Sequence, residues 1–205
     1  MSKKELLEHY QSRKNEIKKR LEDFQSVMNK NNEELFAELA FCLFTPQSKA
    51  TTCWNAVQSL VKNKLLFTGD EKQIRPFMNA VRFPENKTRY LLEAREKFSE
   101  NGKIKLKEKL LSFSDPVSLR EWLLKNIRGL GLKETAHFIR NVGLNKNQLA
   151  ILDVHILKNL KELGVIDEIP KSLTKKKYLE IEERMKKFTK EIGISLDELD
   201  LALWS

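Results

Sequence analysis

Apolar residues recur along most of the chain at intervals of three, four and seven positions. The first segment, from Lys3 to about Met28, carries them on one face and mostly Lys, Arg and Glu on the other. Side chains at these intervals lie on one side of an α-helix. The pattern therefore predicts a long amphipathic helix whose apolar face carries Leu6, Tyr10, Ile17, Leu21, Phe24 and Met28.

The same periodicity predicts helices along the rest of the chain. Residues 33–44 are so apolar that their helix should be central. Strand-like alternation is nearly absent, so we predict an all-α fold. The other predicted helices cover residues 49–61, 71–80, 87–98, 103–111, 117–126, 132–142, 154–160 and 174–192. Asp115 should cap the helix over residues 117–126, with Pro116 at its first position, and a capping box at Ser195 opens the last helix.

Two interruptions between helices carry residues of interest. Pro46 ends one helix and can start the next, which places Gln47 on a short exposed turn. Phe83 precedes Pro84 in a second loop. An aromatic residue in such a loop either packs into the core or stands exposed for a functional reason, and both interpretations remain open.

A third interruption is the segment Ile127-Arg128-Gly129-Leu130-Gly131-Leu132-Lys133. Its two glycines predict a hairpin between helices whose amide groups can approach a phosphate. Since no Pro/Gly/Ser-rich linker divides the chain, we expect one unit spanning residues 1–205. Its approximate lobes are residues 48–134, which include the hairpin, and residues 1–47 plus 135–205.

The basic composition indicates which kinds of partner the protein could bind. The 205 residues are 40% hydrophobic, with a net charge of +9 and a pI near 9.4. This balance favours a polyanion such as nucleic acid or an anionic membrane surface, although Lys/Glu-rich helical surfaces are common in proteins without such partners. We expect a cytoplasmic protein without a membrane anchor, because neither a spanning apolar run nor a secretory signal is present.

The cysteines and histidines argue against a redox metal. Cys42 and Cys53 lie in apolar helical sequence, where buried thiols are expected rather than a disulfide or a metal site. Two cysteines cannot supply a four-cysteine iron–sulfur cluster, and the three histidines are not grouped as zinc ligands. We therefore expect no cofactor.

The hairpin segment is followed twenty residues later by Asp153 in the sequence Leu-Asp-Val-His. This combination resembles the helix-hairpin-helix DNA glycosylase superfamily, and within it the compact 8-oxoguanine DNA glycosylase/AP lyase branch of archaea and some bacteria. The similarity covers most of the chain. It implies an all-α fold of two helical lobes sharing a cleft, with a helix-hairpin-helix motif.

The resemblance implies two catalytic residues. Lys133 would attack the anomeric carbon of the sugar, expel the damaged base and form a Schiff base that permits β-elimination. Asp153 would stabilise oxocarbenium-like charge, orient Lys133 or assist proton transfer. The alternative for Lys133 is a solvated lysine at a helix start. For Asp153 it is a helix N-cap, a role that is compatible with catalysis.

The resemblance also implies double-stranded DNA containing an oxidised base as the partner. A base inside a duplex must be flipped out, so Gln47 is the candidate for filling the gap and Phe83 for wedging beside it. Arg128 and the amides of Gly129 and Gly131 would hold phosphate. In relatives, hairpin carbonyls bind a monovalent cation; no other metal is expected.

Two residues are candidates for the base pocket. His137 lies one helical turn after Lys133 and matches a position that contacts the flipped base in relatives. Trp204, near the end of the sequence, is a candidate for stacking on the base. For both residues, packing in the protein core is the alternative interpretation.

The sequence thus predicts a DNA repair enzyme that excises 8-oxoguanine and cleaves the resulting abasic site, acting as a monomer at the nucleoid. One alternative keeps the mechanism but changes the oxidised base. The other is a non-catalytic DNA-binding module, for which salt-sensitive binding without excision is expected.

Overall fold

The structure is a computed structural model that describes residues 1–204. It confirms the all-α prediction. The helices are α1 (Lys3–Val27), α2 (Asn32–Phe44), α3 (Ala50–Lys62), α4 (Leu65–Thr68), α5 (Glu71–Ile74), α6 (Pro84–Phe98), α7 (Leu106–Leu111), α8 (Pro116–Asn126), α9 (Leu132–Asn141), α10 (Val154–Glu162), α11 (Lys175–Ile192) and α12 (Leu196–Trp204).

Several helix starts follow the side-chain caps that the sequence predicts. The Asp115 carboxylate accepts a hydrogen bond from the Ser118 N–H at 2.9 Å, and Pro116 occupies the first helical position. Ser195 and Glu198 exchange the two bonds of a capping box. Both predicted caps are thus confirmed, because they depend only on residues within one turn.

Two predicted helix ranges are wrong in part. The α-helix predicted over residues 71–80 ends at Ile74 and continues as a 3₁₀ turn over Arg75–Met78, since Pro76 lacks the N–H that an α-helical bond requires. The helix predicted over residues 103–111 begins only at Leu106. Two short antiparallel strands, β1 (Ser99–Glu100) and β2 (Lys103–Ile104), precede it.

The short hairpin escaped prediction because a two-residue strand has no measurable periodicity. Its turn residues, Asn101 and Gly102, have positive φ values of 50° and 74°. This pair of left-handed residues is typical of tight β-hairpin turns, and Asn-Gly is its usual sequence. Among the described residues, these strands form the only sheet.

The apolar side chains form two clusters. The first is built mainly from α2 to α9, and the second from the first half of α1 together with α10, α11 and α12. The segment 149–152, which is neither helix nor strand, contributes to both clusters: Leu149 and Ile151 belong to the first cluster, Ala150 and Leu152 to the second. The predicted lobe boundaries remain a prediction, because packed clusters do not by themselves define domains.

Two buried ion pairs connect helices across these clusters. Arg120 of α8 donates to both carboxylate oxygens of Glu182 on α11, at 3.0 and 2.8 Å. Arg140 of α9 donates to Asp200 of α12 at 2.5 Å. Removing one partner of such a pair leaves an uncompensated buried charge, which is strongly destabilising.

The two cysteines are free thiols buried in the first cluster, as the sequence predicts. Burial raises the pKa of both thiols. Cys53 Sγ donates to the Phe44 carbonyl at 3.1 Å. In the described part of the chain, no helix is long and apolar enough to cross a bilayer.

Candidate functional site

The predicted hairpin between α8 and α9 is present. Gly129 has a φ of +94°, and a Cβ atom at this position would lie 2.4 Å from Cδ2 of Tyr90. A residue with a side chain would therefore suffer both backbone strain and a clash with a ring. Gly129 is required here for two independent reasons.

Gly131 has a different role from the one its spacing suggests. Its φ of −94° is open to any residue, so only Gly129 needs the freedom of glycine. The Gly131 N–H donates to Oε2 of Glu134 at 3.2 Å, and a Cβ atom on Gly131 would lie 2.8 Å from that oxygen. Because Gly131 has no side chain, the Glu134 carboxylate has room to accept a hydrogen bond from the Gly131 N–H. This N–H was predicted to face phosphate.

Lys133 is the second residue of α9. Its side chain is 26% exposed, and Nζ lies 3.7 Å from Oε1 of Glu134. Among the described residues, this is its only ion-pair partner, so no direct pair joins Lys133 to Asp153. The ammonium is therefore accessible and held by one long contact.

Asp153 stands at the start of α10, where two donors fix its carboxylate. Oδ1 accepts from the Ile156 N–H at 2.8 Å, as expected of a helix cap. Oδ2 accepts from Nε1 of Trp204 at 2.9 Å. Capping is thus present, and the second bond holds the carboxylate in place.

Trp204 is partly exposed, and its indole N–H is committed to Asp153. The His155 ring meets the indole edge-on, with centroids 6.1 Å apart. The sequence predicted a residue that packs on a base or on the core; the contact with Asp153 was not foreseen. A role in the base pocket remains a prediction.

His137 is half-buried on α9, one turn after Lys133. Its ring meets Phe41 edge-on at 5.7 Å between centroids, and no hydrogen-bond partner contacts its Nδ1 in the described structure. Burial, with the positive charges of Arg140 and Lys133, holds the pKa of His137 well below its usual range. The imidazole is therefore neutral near pH 7.

Asp200 is a buried acid close to both catalytic candidates that sequence reasoning missed. Burial, together with the negative charges of Asp197 and Asp153, raises the pKa of Asp200 to about 6, although the positive charges of Arg140 and Lys133 act to lower it. The charges of the two catalytic candidates, Lys133 and Asp153, thus both act on the pKa of Asp200. Its position four residues before Trp204, on the same face of α12, was the available signal.

The two candidates for distorting DNA share an unusual backbone. Gln47 has a φ of 55° and Phe83 a φ of 58°, both in the left-handed region that residues with a Cβ atom avoid. Both side chains are exposed, and the Phe83 ring, at 45% exposure, contacts only the Arg82 guanidinium at 5.1 Å among the ring contacts of the described residues. Packing of Phe83 in the core is therefore excluded.

Arg128 is exposed beside the hairpin. Its guanidinium lies over the Tyr90 ring at 5.2 Å and 3.3 Å from Oε1 of Glu93. The Gly131 carbonyl, one of those predicted to hold a monovalent cation, already accepts the N–H and hydroxyl of Thr135 at 3.0 and 2.7 Å. Within residues 1–204, no group of three His, Cys, Asp or Glu side chains could hold a metal.

Comparison with known proteins agrees with this geometry. A family model described as 8-oxoguanine DNA glycosylase matches residues 17–194. A protein of Fusobacterium nucleatum named 8-oxoguanine DNA glycosylase/AP lyase is 45% identical over 196 residues, covering 95% of this chain and 90% of the relative. A Korarchaeum cryptofilum protein of the same name is 38% identical, covering 92% and 86%.

Solved structures give the same result. The crystal structure of Methanocaldococcus jannaschii 8-oxoguanine glycosylase/lyase in complex with 15mer DNA containing 8-oxoguanine matches with a TM-score of 0.85 and 34% identity, covering 97% of this chain and 95% of that one. The 8-oxoguanine DNA glycosylase of Thermotoga maritima matches with a TM-score of 0.82 and 32% identity, covering 98% and 93%. This chain therefore belongs to the 8-oxoguanine DNA glycosylase family.

Proposed function

We propose that this protein excises 8-oxoguanine from duplex DNA and then cleaves the strand at the abasic site. The single observation that carries the proposal is that the chain has both an accessible Lys133 directly after the hairpin and an Asp153 carboxylate fixed by two donors. Support comes from the name 8-oxoguanine DNA glycosylase/AP lyase of its relatives and from the relative solved with DNA containing 8-oxoguanine.

In the first step, the neutral Lys133 amine forms a bond to the sugar C1′ while the glycosidic bond breaks. The base leaves with the electron pair and takes up a proton. Positive charge develops on the sugar in the transition state, and the Asp153 carboxylate stabilises it. A carboxylate already held by Ile156 and Trp204 loses little energy to reorganisation at that moment.

In the second step, the sugar ring opens and the Lys133 nitrogen forms a Schiff base with C1′. Loss of a C2′ proton then expels the 3′ phosphate by β-elimination, and water releases the lysine. Before either step, the Lys133 ammonium must lose a proton to become the attacking amine. Glu134 Oε1, at 3.7 Å, is the carboxylate within ion-pair distance of Nζ in the described structure.

The DNA must be distorted before the base can reach this site. Gln47 fills the vacated position in the base stack and Phe83 wedges beside it, and the support is their exposure on two separate loops. Arg128 and the amide of Gly129 contact backbone phosphate; Gly131 joins them if Glu134 releases its amide. A monovalent cation at the remaining hairpin carbonyls belongs to the same interface.

The base pocket lies beside the two catalytic residues. His137 contributes a half-buried, neutral ring, and its Nδ1 is buried without a hydrogen-bond partner in the described structure. Trp204 offers an exposed ring held in place through its bond to Asp153. With one cleft per lesion, the protein acts as a monomer on nucleoid DNA in the cytoplasm.

Covalent trapping tests the proposal. Duplexes carrying 8-oxoguanine, an oxidised pyrimidine or no lesion are incubated with the protein, and base release is measured separately from strand cleavage. Borohydride should reduce the Schiff base and link the protein to the 8-oxoguanine duplex. Lys133→Gln should abolish trapping, whereas Lys161→Gln, which removes the same charge from an exposed position on α10, should leave it intact.

The other outcomes identify the alternatives. Trapping that survives Lys133→Gln would overturn the assignment of the nucleophile. Preferential release of the oxidised pyrimidine would keep the mechanism and change the substrate. Salt-sensitive binding without release of any base would make the protein a non-catalytic DNA-binding module.

A further inference from the structure

Lys87, near the start of α6, is a buried cation outside the catalytic site. Its residue exposure is 3%, and its Nζ forms no ion pair with a carboxylate in the described structure. Burial lowers its pKa from the usual value. A buried charge is unfavourable unless hydrogen bonds compensate for the lost water, so the groups around the Lys87 ammonium must supply those bonds.

Three oxygens surround the ammonium. Nζ donates to the Phe44 carbonyl at 2.6 Å, to the Pro46 carbonyl at 2.7 Å and to the Ser48 hydroxyl oxygen at 3.1 Å. An ammonium has three donors, so all three are used. Phe44 is the last residue of α2, where free carbonyls and the helix dipole favour a cation.

These acceptors lie on either side of Gln47, and a second set of bonds leads to Phe83. Ser48 Oγ also accepts the Arg82 N–H at 3.0 Å, immediately before Phe83. The Lys87 backbone N–H donates to the Phe83 carbonyl at 3.1 Å. Lys87 therefore contacts both loops, through its side chain on one and its backbone on the other.

The two loops need such support because both exposed residues adopt left-handed backbone conformations. Gln47 and Phe83, with φ values of 55° and 58°, each carry a backbone strain that surrounding contacts must offset. Without the network, each loop would relax to a commoner conformation and re-aim its exposed side chain. The distance between the two side chains would then no longer be fixed.

We propose that Lys87 is a positioning residue that holds the Gln47 loop and the Phe83 loop in one fixed arrangement, ready to enter the DNA together. The inference rests on the proposed function, because it takes Gln47 and Phe83 as the residues that enter the duplex. Lys87 itself touches neither the reacting sugar nor the base. It acts on the flipping step through the two loops.

Hydrogen exchange of the free protein tests the positioning without any DNA. Lys87→Met removes the ammonium and keeps the stem, and Lys97→Met is the matched control on the exposed end of α6. In Lys87→Met, the amides of Ser48 and Arg82 should exchange roughly tenfold faster or more, as for a locally opened segment. Unchanged exchange at both amides would overturn the proposal.

Excision kinetics test the connection to the two loops. In the wild-type background, Lys87→Met should slow single-turnover base release by roughly tenfold to a hundredfold, the scale of a small misplacement of reacting groups. In a Gln47→Ala/Phe83→Ala background, the same change should cost less than about twofold, because residues acting through one network are not additive. Equal losses in both backgrounds would sink the idea.

Ser48→Ala keeps the inference testable should Lys87→Met fail to fold. It removes the bond between the loops but leaves the ammonium two carbonyl acceptors. Faster exchange at Arg82 and a smaller loss of excision should follow, and no change in either would count against the proposal. Failure of the wild-type protein to release any base would instead contradict the proposed function, while the exchange experiment would still decide whether Lys87 positions the loops.

Discussion

The starts of α9 and α10 have nearly the same backbone but hold their reactive side chains in opposite ways. Gly131, before α9, has φ −94° and ψ −178°, and Asp153, before α10, has φ −93° and ψ −179°. At α10 the reactive group is itself the cap and accepts two hydrogen bonds. At α9 the cap position has no side chain, and Glu134 reaches back to it.

This difference matches the roles proposed for Asp153 and Lys133. A charge that stabilises a transition state works best when it is fixed before the reaction, which two donors achieve for Asp153. A nucleophile must move to form a bond and later release it. Lys133, one quarter exposed and held by a single 3.7 Å contact, keeps that freedom.

Among the variants that test this comparison, removing the Asp153 charge should reduce the rate of base release most. Asp153→Asn retains an oxygen for the Ile156 N–H but loses the carboxylate, so single-turnover base release should slow by roughly a hundredfold to a thousandfold. DNA binding should change little. Asp115→Asn, the same substitution at the cap of α8, is the control and should leave release unchanged. Equal rates in both variants would reduce Asp153 to a cap.

The pKa of the buried Asp200 carboxyl should respond to the charges at both helix starts, those of Lys133 and Asp153. Its folded pKa of about 6 lies above the usual 3.8, so its contribution to stability is fully present below pH 3.8 and is lost as the pH rises through about 6. Across this pH range the free energy of unfolding should fall by about 3 kcal/mol, since a pKa change of one corresponds to about 1.36 kcal/mol. A carboxyl-carbon NMR titration measures the pKa directly.

Variants at the two helix starts should shift this titration in opposite directions. Asp153→Asn removes a negative charge that raises the pKa of Asp200 and should lower it. Lys133→Gln removes a positive charge that lowers this pKa and should raise it. Shifts of the same sign would mean that the two groups do not act on Asp200 as the structure implies.

A smaller effect is expected from loosening the carboxylate without removing it. Trp204→Phe keeps an aromatic ring but deletes the donor to Asp153 Oδ2, and base release should slow roughly tenfold, the scale of one hydrogen bond to a charged group. Trp122→Phe, in the first apolar cluster, controls for loss of an indole elsewhere. No difference between the two variants would show that the Ile156 bond alone fixes Asp153.

The smallest effect should come from the ion pair at α9. Glu134→Gln keeps an oxygen for the Gly131 N–H and removes the charge beside Lys133, so the free energy of unfolding should change by less than about 0.5 kcal/mol. Glu121→Gln, which breaks the exposed pair with Lys175, is the control. A much larger loss for Glu134→Gln in a thermal melt would mean that Lys133 is held as firmly as Asp153.

Local signals in the sequence predicted much of this architecture. The periodic apolar positions of α1, the Asp115 cap and the capping box at Ser195 each depend on neighbours within one or two turns, and all three are present. The same holds for the hairpin at Gly129. Prediction failed at Pro76 and at the strands around Gly102, where a few residues change the backbone without leaving a periodic pattern.

The sequence predicted which residues form the candidate site, but it did not predict the contacts that hold them in place. The bond from Trp204 to Asp153 joins positions 51 residues apart, and the bonds from Lys87 to the Gln47 loop join positions 39 to 43 apart. Nothing in the sequence near Lys87 distinguishes it from a solvated residue, and Asp200 is marked only by its spacing of four from Trp204. Their burial depends on which helices pack over them.

The sequence by itself determined the helical class, the turn at Gly129, the cap at Asp153 and the family to which the chain belongs. These features arise from backbone preferences and short-range hydrogen bonds, which a local stretch of residues specifies. Tertiary structure alone decided that Trp204 holds Asp153, that Asp200 lies near the charges of both catalytic candidates and that Lys87 joins two strained loops. Such contacts exist only once apolar burial has packed distant helices together, because burial brings distant polar groups within hydrogen-bonding distance.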